Sequence, residues 1–147
     1  MRRPNLGLIY FATHGIADPD NPMDESFLAL THRHLYAREI KTLDLKENAP
    51  LVVMSACQSG LGKVFEGGVF GLARAWYHVG APQVVMSLWD IDDEATMTLM
   101  VDFMDMLGRG QAPEEALRDA MLEARNRTTD QAKWSGFAVY GGATLRR

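Results

Sequence analysis

The feature that most constrains this chain's fold is a set of four short runs that are apolar without alternation, separated by segments of helical period. They occupy residues 6–13 (LGLIYFAT), 51–56 (LVVMSA), 84–89 (VVMSLW) and 134–140 (WSGFAVY). A strand with one wet face alternates, whereas a strand covered on both faces does not. The runs therefore point to a mainly parallel sheet sandwiched by helices. Between them, Val69, Leu72, Ala73 and Trp76 fall at helical spacing, and Gly80 and Pro82 stop that helix. Thr96, Met100, Phe103 and Leu107 form a second stripe, begun by a capping Asp92 or Asp93 and ended by Gly108 and Gly110. Leu117, Ala120, Met121 and Ala124 form a third, with Pro113 suited to its first turn. Residues 27–30 read as a short extra strand, and Ala37, Ile40 and Leu43 as a short helix. The expected fold class is α/β, an open, mainly parallel sheet with helices on both faces.

A chain of 147 residues can bury roughly two-thirds of its unfolded surface around one core, so residues 1–147 are expected to form a single domain. Hydrophobic residues at 47% and charged residues at 23% are ordinary for a globular domain and argue against disorder. Fifteen basic against 19 acidic side chains, with no Lys/Arg block, argue against a nucleic-acid partner. No apolar run approaches the roughly 20 residues of a membrane helix, so a membrane partner is not expected. The run after Arg2 and Arg3 is too short for a signal-peptide core. The one cysteine, Cys57, excludes an internal disulfide framework and suits a reducing compartment, so a cytoplasmic location is expected.

In an open α/β sheet, ligands and chemistry collect beyond the carboxyl ends of the strands. Three such exits carry notable residues: Thr13-His14-Gly15, the stretch 55–60 (SACQSG), and the stretch 89–93 (WDIDD). His14 and Cys57 each lie one residue past an expected strand. Neighbouring strands run about 4.8 Å apart, so in-register neighbours would bring imidazole and sulfur together on one rim. A thiol nucleophile needs such a base. The backbone N–H groups of Gly15 and Cys57 can converge on a developing oxyanion. Taken singly, a cysteine is more often a buried filler and a histidine more often a loop residue. Their joint placement is what suggests acyl transfer.

These residues resemble a known family. Ala12-Thr13-His14-Gly15, residues 51–60 (LVVMSACQSG), 67–73 (GGVFGLA), 87–90 (SLWD), 115–120 (EALRDA) and 134–141 are similar to the CHAT domain, a caspase-like family related to separase. The resemblance implies a cysteine endopeptidase in which His14 and Cys57 are the catalytic dyad and the amides of Gly15 and Cys57 form the oxyanion hole. It implies hydrolysis of peptide bonds in protein substrates without metal or organic cofactor. It also implies an upstream sensor region, such as tetratricopeptide repeats, as partner. The family's fold opens with two strands and their helices before the histidine strand, and this chain starts at that strand. The expectation is thus the C-terminal portion of a CHAT domain, with an exposed sheet edge that can pair with a partner or a second copy. Gln58 stands where many members carry an acid. A caspase-like signalling module that no longer cleaves is the alternative.

Other motifs are weaker. Gly60-Leu61-Gly62-Lys63 suggests a phosphate loop, but Cys57 and Val64 stand where the Walker pattern needs Gly and Ser/Thr. His32 and His34 lack compact zinc-ligand spacing and read as exposed turn residues. Asp90 and Asp92, with Trp89 as a wall, are candidates for a substrate pocket favouring a basic side chain, against plain capping of the next helix. Met97, Met100, Met104 and Met106 read as core before docking surface. The acidic stretch 18–25 reads as a connector placed to gate the histidine.

Overall fold

The computed structural model describes residues 7–55 and 68–142, with the backbone alone for 68–70. The chain forms, in order, β1 (Leu8–Phe11), β2 (Gly15–Ile16), β3 (Phe27–Ala29), β4 (His34–Tyr36), α1 (Ala37–Ile40), β5 (Leu51–Met54), α2 (Gly68–His78), β6 (Gln83–Ser87), α3 (Asp93–Gly108), α4 (Pro113–Arg127) and β7 (Phe137–Tyr140). The main sheet has the order β1-β5-β6-β7, with β1, β5 and β6 parallel. Its central strands are buried on both faces, which explains why their sequences do not alternate.

The pleat divides those runs between two cores. Val52, Met54, Val84 and Met86 point to the layer built on α1 and α2, where Leu72, Ala73 and Trp76 of the first helical stripe meet them. Val53 and Val85 point the other way, onto Leu99, Met100 and Phe103 of α3 and Leu117 and Ala120 of α4. The turn after α2 needs a glycine. Gly80 sits at φ +115°, and a Cβ there would come within 2.5 Å of the Lys46 backbone. Asp92 caps α3 by accepting the Ala95 N–H at 3.0 Å, and Pro113 opens α4.

The last strand departs from the parallel expectation. β7 runs antiparallel to β6, and it starts at Phe137, whereas Trp134 closes a short 3₁₀ turn over Gln131–Lys133. The cause is the α3–α4 hairpin. One helix carries the chain back from the carboxyl ends of the strands and the second returns it there, so the strand that follows must run down the sheet. A second sheet, β2-β3-β4, is antiparallel and packs beside the exit of β1. Its β3 matches the expected extra strand, while His34, read as a turn residue, lies in β4 and stacks on Phe27 at 4.0 Å.

One ionisable contact ties the layers together. The Gln83 side chain at the start of β6 donates to Glu114 Oε2 at 3.0 Å. That bond, with the first-turn backbone of α4, holds the Glu114 carboxyl below its ordinary range. A carboxylate whose folded value is depressed stabilises the fold above its unfolded value, about 4.3, and loses that contribution as pH falls through the folded value. Acid titration followed by circular dichroism is expected to show a shallower loss of stability below that pH for Glu114→Gln than for the parent.

Candidate active site

β1 ends at Phe11 and β5 at Met54, opposite each other in the ladder. Both strands are shorter than the sequence runs suggest, so His14 and Cys57 each lie three residues beyond a strand end. The two exits are laced together at once. The Ser55 backbone N–H and its hydroxyl both donate to the Phe11 carbonyl, at 3.1 and 3.2 Å. Ser55 is buried, so these bonds lie in a low-dielectric setting where they are worth more than at the surface.

Beyond Phe11 the chain turns away from the main sheet toward β2. The Thr13 hydroxyl donates to the Ala29 carbonyl, and the Ala29 N–H donates to the His14 carbonyl at 2.8 Å. Gly15 then enters the second sheet opposite Leu28, buried. This leaves the His14 side chain exposed at the rim, in a hollow of about 310 Å³. Its walls include Tyr10, Thr13, Ser55, Asp93, Thr96 and Met97. The hollow is therefore bounded by the end of β1, the start of the segment after β5 and the first turn of α3. Cys57, like Gly60, Gly62 and Lys63, lies outside the described residues.

The acidic exit of β6 is placed differently from the two strand exits it follows. Trp89 donates its indole N–H to the Ala132 carbonyl at 2.8 Å. Its ring rests on the backbone at Gly136, where a Cβ would come within 2.7 Å of it. Asp90 is exposed. Asp92 caps α3 and lines a separate hollow of about 350 Å³ with Glu94, Thr98, Arg127 and Lys133. Of the three aspartates, Asp93 is the one that borders the hollow holding His14. The sequence grouped these acids but not their directions, because successive residues at a helix start face different sides. Tyr10, Thr96 and Met97 carried no signal of their own. Met97 is 61% exposed while Met100 is buried, so the methionine stripe is core on one side only.

The acidic stretch after His14 is pinned. Asp18 Oδ1 accepts the N–H groups of Asp20 and Asn21 at 2.9 and 2.7 Å. Met23 packs on the core, and Pro22 sits so close to Gly71 that a Cβ there would come within 2.8 Å of it. His32 stays exposed in the β3–β4 turn.

Comparison with known proteins identifies the relationship. The family model for the CHAT domain matches residues 1–142. Tetratricopeptide repeat protein 28 of Mus musculus is 29% identical over 111 residues, covering 74% of this chain. Its Homo sapiens counterpart is 32% identical over 101 residues, covering 67%. The chain spans 4% of the length of each of those proteins.

Proposed function

The chain belongs to the CHAT domain family, a caspase-like family related to cysteine peptidases, and from that membership we propose that it hydrolyses peptide bonds in protein substrates through Cys57 and His14. The observation that supports this reading most is the strand register. Leu8 faces Leu51, an offset of 43 residues, and His14 and Cys57 are separated by the same 43 positions in the sequence. The two in-register parallel strands thus end at matching points on one rim, each three residues in the sequence before its member of the pair, and Ser55 ties the two exits together.

On this reading Cys57 Sγ attacks the substrate carbonyl carbon, and His14 takes the thiol proton. The N–H groups of Gly15 and Cys57 hold the oxyanion. Collapse of the tetrahedral species breaks the C–N bond, and His14 passes the proton to the leaving amine. Water then attacks the thioester, with His14 as base, and frees the thiol. For the residue before the scissile bond the reading places a pocket that favours a basic side chain beside Trp89 and Asp90; Asp92, which caps α3 and lines a hollow separate from that of His14, is left to its capping role. A free nucleophilic thiol is compatible with a reducing compartment, and a cytoplasmic location is part of the proposal.

Alkylation of Cys57 by iodoacetamide tests the dyad. Rapid modification that His14→Ala slows by about a hundredfold is expected, within the range a catalytic base contributes; modification at an ordinary thiol rate, indifferent to His14, overturns the reading. A panel of fluorogenic peptides with Arg, Lys, Asp or Leu before the scissile bond tests the pocket, and preference for Leu or Asp removes it. The second reading is a non-cleaving signalling module. It is favoured by the relatives, whose names record tetratricopeptide repeats. On either reading the domain is coupled to a repeat region, and the same alkylation rates separate the two.

A further inference from the structure

We propose that Thr13 is a positioning residue whose hydroxyl aims the His14 imidazole; this rests on the reading of His14 as the base of the dyad. His14 is exposed, on irregular chain between a four-residue strand and a two-residue one. Nothing in such a stretch fixes the direction of a side chain unless the backbone on either side is held. Two bonds hold it, and both go to one residue. The Ala29 N–H donates to the His14 carbonyl at 2.8 Å, and the Ala29 carbonyl accepts the Thr13 hydroxyl. Adjacent residues thus grip the donor and the acceptor of the same residue of β3, closing a small ring that prevents the peptide between Thr13 and His14 from rotating.

The two bonds differ in what they demand of the sequence. Any residue at position 14 can offer its carbonyl to Ala29. The second bond needs a hydroxyl at position 13, and a β-branched residue supplies it from a stiff χ1. On the other side, Ser55 holds the Phe11 carbonyl with its N–H and its hydroxyl. Position 13 is therefore the point where the exit of the main sheet is locked to the second sheet. A displacement of about 1 Å at a reacting group can cost as much as a hundredfold in rate, so loosening this point has a measurable effect.

The probe is iodoacetamide and the readout is the alkylation rate of Cys57, the chain's one cysteine. Thr13→Val keeps the branched shape and removes the hydroxyl; Thr13→Ser keeps the hydroxyl and removes the methyl. Thr13→Val is expected to slow alkylation about tenfold, with Thr13→Ser within about twofold of the parent. In a His14→Ala background Thr13→Val is expected to change nothing further, because the group it aims is gone. A Thr13→Val rate equal to the parent's, with His14→Ala slow, overturns the proposal. So does an equal slowing in both backgrounds, which marks a general loosening of the fold. Thermal melts check that each variant is folded at the assay temperature, and Thr13→Ala serves as a second hydroxyl-free variant. If His14→Ala alone leaves the rate unchanged, the dyad itself is wrong, an outcome distinct from failure at position 13.

Discussion

Replacing Cys57 with alanine is expected to lower peptide cleavage by at least about a thousandfold and to abolish labelling by a peptidyl electrophile. The effect is large because the sulfur forms the covalent intermediate, and no other thiol exists in the chain to replace it. Binding and oxyanion stabilisation alone leave only a small residual rate. The fold is expected to be nearly unaffected, since the described core of Val52, Met54, Val84, Met86 and Trp76 is complete without that side chain. Cleavage by Cys57→Ala at the parental rate contradicts the assignment. Retained folding, read as an unchanged melting transition, separates loss of chemistry from loss of structure.

Trp76→Ala is expected to be the most destabilising single change in the α2 layer, at about 3–5 kcal/mol. Trp76 is 2% exposed and is the largest of the fully buried side chains. Its ring centroid lies 5.4 Å from that of Phe11, the last residue of β1, so it props the strand that leads to His14. Its indole nitrogen adds a second consideration. That atom is buried and has no hydrogen-bond partner among the described residues, and a buried donor without a partner carries a desolvation cost. Trp76→Phe removes the N–H donor while keeping most of the apolar volume, and is expected to lose less than half as much stability as Trp76→Ala. Urea unfolding of the two variants makes the comparison. Equal losses contradict the packing account.

The parts of the fold that were legible in the sequence are those where burial is two-sided or where a terminus carries its own chemistry. β5 and β6 are covered by helices on both faces, so Val52–Val53 and Val84–Val85 announce themselves as unbroken apolar runs. Pro113 and the aspartates before α3 mark helix starts by elementary capping rules. The rest depended on long-range partners. Trp134 looks like a strand residue locally, yet a 3₁₀ turn capped by Asp130 takes it, and Gly136 frees space for the Trp89 ring before the strand begins. β2 has two residues and β4 three, too short for any period to register. Leu43 matched the period of α1, yet it lies past the helix end and is 43% exposed.

The candidate site divides the same way. His14 stood out only together with Cys57, because both follow expected strands at matching positions and stand beside small residues. Asp93, Tyr10 and Met97 did not, because bordering a hollow depends on how α3 is rotated against the edge of β1. The Thr13–Ala29 bond spans 16 residues, a pairing that follows only from the docking of the second sheet on the first.

A disulfide trap reads out whether position 14 meets position 57 at one rim of the sheet. A disulfide needs Cα atoms about 4.4–6.8 Å apart and facing Cβ vectors. His14→Cys gives the chain a second thiol, so one intramolecular pairing is possible. Mild oxidation of this variant is expected to yield monomer that has lost both free thiols, restored by reductant. Monomer that keeps both thiols free under the same oxidation contradicts the meeting of positions 14 and 57.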